Sequence, residues 1–257
     1  MTNDAQTSIR PAQSGSPAAP AEELSKRRVR RWQVVQTLLD QFDSPRYVEV
    51  GVNKGNTFRH LSAALKVAVD PKFLFDWEAE RREHGPNAQY HQVTSDVYFG
   101  SIVDADQQFD VIYLDGLHTF EQTLRDLTNA LAHLAPQGVI LIDDVRPPSY
   151  HASLPDHAAY LKVRQHVKDA RAAWMGDVYK LVWFIDTFMP SLSYATIANN
   201  HGQAVVWRER RVGVTERSVA EVADLSFESV VLSREVLHLR PFGQIVADLQ
   251  GRVGTRK

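Results

Sequence analysis

YVEVGVNKGNTF, from Tyr47 to Phe58, joins an apolar run to two glycines, Gly51 and Gly55, and then to small polar residues. It reads as a buried strand that enters a tight turn and then starts a helix. The helix is expected over TFRHLSAAL, with Phe58, Leu61 and Leu65 on one side. Glycine permits positive φ and close backbone approach, and a helix start offers free N–H groups. Downstream, VAVD ends at Asp70 and FDVIYLD ends at Asp115. In TFEQTLRDLTNALAHL, apolar Phe120, Leu124, Leu127, Leu131 and Leu134 recur every three or four residues, as in a helix. Thr119 and Gln122 fit a capping box at its start. GVILIDD is a further buried strand, ending at Asp143 and Asp144. This alternation predicts an α/β fold with a parallel sheet and helices on both faces.

The chain has 257 residues, 44% hydrophobic and 23% charged, enough for a sizeable core. A net charge of −2 gives no basic field for nucleic acid, and no apolar run is long enough to span a membrane. There is no cysteine, hence no disulfide, and no apolar signal core at the start; a cytoplasmic protein is expected. Residues 1–22, rich in Ser, Ala, Pro and Gln, read as a disordered tail. KRRVRR (Lys26–Arg31) reads as the solvated start of a helix. The expected main domain is 23–212. Proline-rich 145–180 serves as a lid over the acceptor, and 213–257 forms a helical extension ending in a basic tail. YKLVWFIDTFMP and SYATIANNHGQAVVWRE are expected to be long strands, the second turning near Asn199–Gly202 at an antiparallel edge.

Ligands of open α/β sheets bind beyond the carboxyl ends of the strands. Asp70 ends the strand after the turn, where a carboxylate can accept both ribose hydroxyls of an adenosine ligand. A dinucleotide fingerprint needs a middle glycine, and Asn53 stands there instead. Glu49, inside the strand, would repel phosphates but suits a cation. S-adenosylmethionine, with an ammonium, a sulfonium and no phosphate, fits this better than NAD. Gly51, Asn53, Gly55, Asn56 and Thr57 would form its cradle. Ser95 and Asp96, after the third strand, are placed for adenine, or else cap a helix.

Asp115, Asp143 and Asp144 fall on one rim of the sheet. Three close carboxylates repel unless something positive joins them, and oxygen ligands point to a hard cation, most simply Mg²⁺. His118, three residues after Asp115, is placed to take a proton from an acceptor hydroxyl.

With its E-x-G-x-x-x-G turn, Asp115-x-x-His118 and the Asp143–Asp144 pair, the stretch from Tyr47 to Pro147 resembles the class I S-adenosylmethionine-dependent methyltransferases. It is most similar to the metal-dependent O-methyltransferases of macrolide sugars and related glycosides, and also to mycobacterial methylmannose-polysaccharide methyltransferases. The resemblance implies a Rossmann-like, mostly parallel seven-stranded sheet with an antiparallel edge. It implies Mg²⁺ held by Asp115, Asp143 and Asp144, Asp115 near the cofactor as well, and His118 as general base. Some relatives have Glu-Asp at the acidic pair. Catechol-type enzymes use a lysine close after the aspartate, and none follows Asp115.

Tyr150, His151, His157 and Trp174 are the candidate acceptor contacts, for a sugar, an oligosaccharide or a glycoside. The competing functions are methylation of a phenolic natural product, a nucleotide-dependent dehydrogenase, and a non-catalytic cofactor-binding protein. No nucleic-acid or membrane partner is expected. Trp32 and the C-terminal helix need cover, which either a homodimer or folding of each onto the sheet would supply.

Overall fold

The computed structural model describes residues 21–169 and 173–254. The elements in chain order are α1 (Ala21–Lys26), α2 (Arg31–Leu39), β1 (Arg46–Val50), β2 (Leu65–Val69), α3 (Trp77–His84), β3 (Ala88–His91), α4 (Ser95–Val97), β4 (Phe109–Leu114), α5 (Phe120–Ala132) and β5 (Leu134–Ile142). Then come α6 (His157–Val167), α7 (Lys180–Phe188), β6 (Leu192–Ile197), β7 (Ala204–Arg208), α8 (Val219–Ala223), α9 (Phe227–Leu232), β8 (Leu239–Arg240) and α10 (Phe242–Gly254).

The strands form one sheet in the order β3-β2-β1-β4-β5-β7-β6-β8. β7 runs antiparallel to β5 and β6; every other pairing is parallel. This is the Rossmann-like α/β architecture that the resemblance implies, with β8 as a short eighth strand beyond the expected seven. The order reverses beside β1, which puts the crevice for a ligand outside the carboxyl ends of β1 and β4. β1, β4 and β5 are buried on both faces, so they read as continuous apolar runs. On one face Val48, Ile112 and Ile140 pack with Leu127, Trp183 and Leu237. On the other, Tyr47, Tyr113 and Leu141 pack with Val34 and Leu38 of α2 and Phe242 and Ile245 of α10.

Several local expectations are overturned. After the glycine turn there is only a 3₁₀ turn, Phe58–His60, and Leu65 already pairs with Arg46 in the sheet. Phe58 and Leu61 are buried anchors of that turn, and this tertiary burial mimics helical spacing. YKLVWFIDTF is the helix α7, not a strand, because its long apolar run is buried against the sheet. The capping box at α5 does not form: Thr119 makes no side-chain cap bond, the Phe120 amide donates to Asp177 (2.9 Å), and Gln122 donates to Asp126 (3.1 Å). Most of the anticipated N-terminal tail lies outside the described residues, but Ala21 and Glu22 open α1. The anticipated basic tail is largely α10, which buries Phe242, Ile245, Val246 and Leu249. Trp32 stacks on His60 at 5.4 Å and packs on the same core. Among the described residues no helix is long and apolar enough to cross a membrane.

Candidate active site

Backbone hydrogen bonds lace the carboxyl ends of four strands together. Gly51 N–H donates to Val69 (2.9 Å), Asp115 N–H to Val50 (2.8 Å) and Asp143 N–H to Leu114 (2.9 Å). Gly51 has φ +87°, and a Cβ there would lie 1.9 Å from the Asp115 carbonyl oxygen. Only glycine lets the turn lie against the end of β4. Asn53 follows with φ +50°, and its amide donates to Asp70 Oδ2 (2.8 Å). Lys72 N–H donates to Asp70 Oδ1 (2.7 Å). Asp70 thus shapes the turn, and each of its oxygens keeps a lone pair for a further donor. Gly55 and Thr57 are buried in the turn and Asn56 is exposed.

Glu49 is buried on the same face of β1 as Tyr47, whose hydroxyl donates to its Oε2 at 2.6 Å. Burial pushes the carboxyl up to about 8, against the pull of the Tyr47 hydrogen bond. Glu49 is therefore largely neutral at pH 7 until a cation reaches it.

The rim acids converge with residues from distant segments. Tyr113 O–H donates to Asp143 Oδ2 (2.8 Å) and reaches Asp115 Oδ2 at 3.3 Å. Arg31, the first residue of α2, places Nε 2.7 Å from Asp143 Oδ2 and an Nη 3.5 Å from Asp144 Oδ1. His201, in the β6–β7 turn, sets Nε2 against Asp143 Oδ1 and also lies 2.9 Å from Arg31 Nε. One ring nitrogen cannot donate to the carboxylate and accept from the guanidinium, so the Asp143 contact makes Nε2 the protonated nitrogen. Burial alone would raise Asp143, but His201, Arg31 and Tyr113 outweigh it and hold the carboxyl at about 2. Asp115 is driven well above the usual carboxylate range by burial and by Asp143 and Asp144. Asp144 is raised by burial and Asp143, against His118 and Arg31. Arg31 stays firmly charged: its burial acts the other way, but the surrounding acids prevail.

His118 Nδ1 lies 2.8 Å from Asp144 Oδ2, at an angle outside a well-aligned hydrogen bond. Asp144 reaches it from a left-handed conformation, φ +59°. The His118 ring stacks on Trp174 (4.9 Å, 11° between planes). Trp174 also contacts His157 (4.7 Å) and donates Nε1–H to Leu154 (2.6 Å). It is covered by both histidines, so it supports His118 more than it offers an open face. A Cβ on Gly176 would meet the His118 carbonyl at 1.7 Å, so the Trp174–Asp177 turn closes tightly on the same residue. Of the other expected acceptor contacts, Tyr150 is 59% exposed and His157 is exposed, whereas His151 is buried beside Tyr160. Thr94, not Ser95 or Asp96, caps α4. Gln122 bridges Ser95 (3.3 Å) and Asp96 (3.2 Å).

Asp115, His118 and Asp144 offer ligand atoms within 4.8 Å of one another, as do Asp143, Asp144 and His201. A cleft of about 10 Å³, the size of a water or an ion, is lined by Asp115, His118, Asp143 and Asp144. These donors fit a small cation: Asp115 meets only the long Tyr113 contact, and Asp144 meets Arg31 and His118. Asp143 is already held at both oxygens. A far larger cavity, about 730 Å³, lies at the opposite end of the sheet among Leu38, Phe42, Leu134, Pro136, Arg208 and Leu249. It holds none of the rim acids and is remote from this chemistry.

The structure gathers Glu49, Asp70, Asp115, His118, Asp143 and Asp144 at one edge. Sequence reasoning missed Arg31, His201 and Tyr113. Arg31 sits in the KRRVRR run read as solvated, and His201 in the unassigned NNHGQ segment. The polar density of NNHGQ was a signal: Asn199 Nδ2 donates to Leu24 of α1 (2.7 Å) and Oδ1 accepts from the N–H of Phe242, the first residue of α10 (2.9 Å), tying both helices to this turn.

Residues 48–145 match the family model described as a methyltransferase domain. The match runs from β1 through the glycine turn and Asp70 to the Asp143–Asp144 pair. No curated protein matches the sequence. Similar solved structures include a putative caffeoyl-CoA O-methyltransferase from Staphylococcus aureus (15% identity, 70% of this chain and 84% of that one, TM-score 0.48). Another is the O-methyltransferase TomG from Streptomyces achromogenes, involved in tomaymycin synthesis and solved with S-adenosylmethionine (15%, 76% and 91%, 0.48). A third is an O-methyltransferase from Bacillus cereus in complex with S-adenosylhomocysteine (17%, 74% and 86%, 0.47). At these identities and TM-scores the likenesses say nothing of this chain's substrate.

Proposed function

We propose that the chain is an S-adenosylmethionine-dependent O-methyltransferase acting on a hydroxyl of a sugar, oligosaccharide or glycoside. The observation that carries this reading is the His118–Asp144 contact beside Asp115, at the edge where the methyltransferase-matched segment presents its glycine turn. In this reading Asp70 accepts the ribose hydroxyls, Glu49 faces the ammonium of the cofactor, and Ser95 and Asp96 border the adenine.

The acceptor oxygen attacks the sulfonium methyl carbon. The carbon–sulfur bond breaks, sulfur keeps the electron pair, and S-adenosylhomocysteine leaves. The hydroxyl proton passes to His118 Nε2, which is basic when Nδ1 carries its proton toward Asp144. Trp174 keeps the ring from turning away. Holding methyl and oxygen in line supplies much of the remaining acceleration. Mg²⁺ held by Asp115 and Asp144 would, when bound, acidify and orient the acceptor hydroxyl. Tyr150, which is exposed, and His157, exposed against Trp174, are the proposed acceptor contacts.

A panel of mannosides, antibiotic glycosides and catechols, assayed for methyl transfer from labelled cofactor, tests this. Methylated glycosides are expected. Turnover of catechols alone would replace the sugar acceptor with a phenolic one, and labelled cofactor that binds without turnover on any acceptor would leave a binding protein.

A further inference from the structure

The acid cluster already contains a cation, and it is part of the chain. Arg31 Nε lies 2.7 Å from Asp143 Oδ2, and its Nη lies 3.5 Å from Asp144 Oδ1. The carboxylates are almost fully enclosed, with 1% and 5% of their side chains exposed, whereas the Arg31 side chain is 41% exposed. Arg31 thus lies between the acids and solvent. Its backbone is fixed independently of the guanidinium: Arg30 N–H is capped by Gln33 (2.9 Å), Val29 is buried, and Val29 N–H donates to Asn199 (3.1 Å). Rotation about side-chain bonds is therefore enough to withdraw the charge.

We propose that Arg31 is the resident counter-cation of the acid cluster, and that it and a divalent ion are alternative occupants. The proposal rests on reading Asp115 and Asp144 as a cation site. An ion bound to Asp144 would sit within a few ångströms of the guanidinium, roughly the length of one salt bridge, so the two positive charges would repel across the shared carboxylate. The ion-sized cleft against Asp115, Asp143 and Asp144 is open with the guanidinium in place, so the competition is one of charge rather than of space. Asp143 then acts as a dock: with Oδ1 held by His201 and Oδ2 by Arg31 and Tyr113, it fixes the guanidinium without surrendering an oxygen to the ion. Arg31 thereby sets how tightly the site takes a metal, and it neutralises the acids when no metal is bound.

The test is calorimetric titration with MnCl₂ and with MgCl₂ of the full-length protein, Arg31→Ala, Arg31→Gln, and Arg31→Gln combined with Asp144→Asn. The melting temperature of each is read with and without metal. Removing the guanidinium is expected to tighten Mn²⁺ binding tenfold or more. It also lowers the metal-free melting temperature, because buried carboxylates lose their partner, and enlarges the rise on adding metal. Asp144→Asn cancels the gain. Arg31→Gln keeps a polar side chain in place, so a failure of the alanine variant to fold does not remove the test. Arginine variants that bind Mn²⁺ no more tightly than the unaltered protein overturn the competition and leave the cation site standing. If no variant binds either ion, both the competition and the cation reading fall.

Discussion

Replacing Glu49 by glutamine separates the cost of burying this acid from its use. Glu49 is 2% exposed, and its only hydrogen-bonding partner among the described residues, the Tyr47 hydroxyl, can donate equally well to an amide oxygen. In the unfolded chain its pKa is near 4.5, and in the folded chain it is raised to about 8. The folded state holds the proton more tightly, so stability is lost as pH rises from about 4.5 to about 8. At about pH 7.5 the gap is roughly three pH units at about 1.4 kcal/mol each, on the order of 4 kcal/mol. At about pH 5.5 it shrinks to the order of 1 kcal/mol. Glutamine does not titrate, so Glu49→Gln is expected to be more stable than the unaltered protein by about those amounts. For a chain of this size that is a rise in melting temperature of roughly 8–15 °C at the higher pH. Urea unfolding at both pH values measures it. The same variant loses the charge that faces the ammonium, so its affinity for S-adenosylmethionine falls about tenfold or more. A variant no more stable at the higher pH, or a gap that does not change with pH, would refute the argument that Glu49 is held neutral by burial.

His118→Ala should lower turnover by roughly 10²- to 10⁴-fold with cofactor affinity within about threefold, read by steady-state kinetics beside calorimetry. Full activity would remove His118 as the base. Gly51→Ala should abolish the folded form or sharply depress its melting temperature, since the new methyl falls 1.9 Å from the Asp115 carbonyl oxygen. Asp186→Ala tests a structural cluster: Asp186 takes Arg211 at 2.8 Å, Arg217 at 3.0 Å and the Tyr194 hydroxyl at 3.1 Å, all largely buried. Its loss should cost about 3–5 kcal/mol in urea unfolding and leave cofactor affinity unchanged.

What the sequence revealed were features in which local pattern and tertiary role agree. β1, β4 and β5 are apolar because both faces are covered, and each ends in a turn or an acid because the sheet edge is where polar groups meet solvent. α5 kept its period because only one of its faces is buried. Where burial is not one-sided, period carries no information. The α7 run around Trp183 reads equally well as strand or helix, and only packing chose between them. At TFRHLSAAL the apolar spacing belonged to a 3₁₀ turn followed by a strand, so helix propensity yielded to sheet pairing. The α10 pattern Phe242, Ile245, Val246, Leu249 is present, but it runs into the basic residues that end the chain, and these read as a tail. At the site, Asp115, His118 and Asp144 share one rim and could be gathered by topology. Arg31 and His201 could not: each reaches Asp143 through folding of a remote segment, and no local pattern distinguishes Arg31 from its neighbours in KRRVRR.

The most direct test of the account is calorimetric titration of the protein with S-adenosylmethionine, with NAD⁺ as control. One-to-one binding of S-adenosylmethionine, weakened by Glu49→Gln and by Asp70→Ala, with no heat from NAD⁺, is the predicted result. Binding of NAD⁺ in place of S-adenosylmethionine would contradict the assignment of the Gly51 turn and Glu49, and with it the methyl-transfer chemistry built on them.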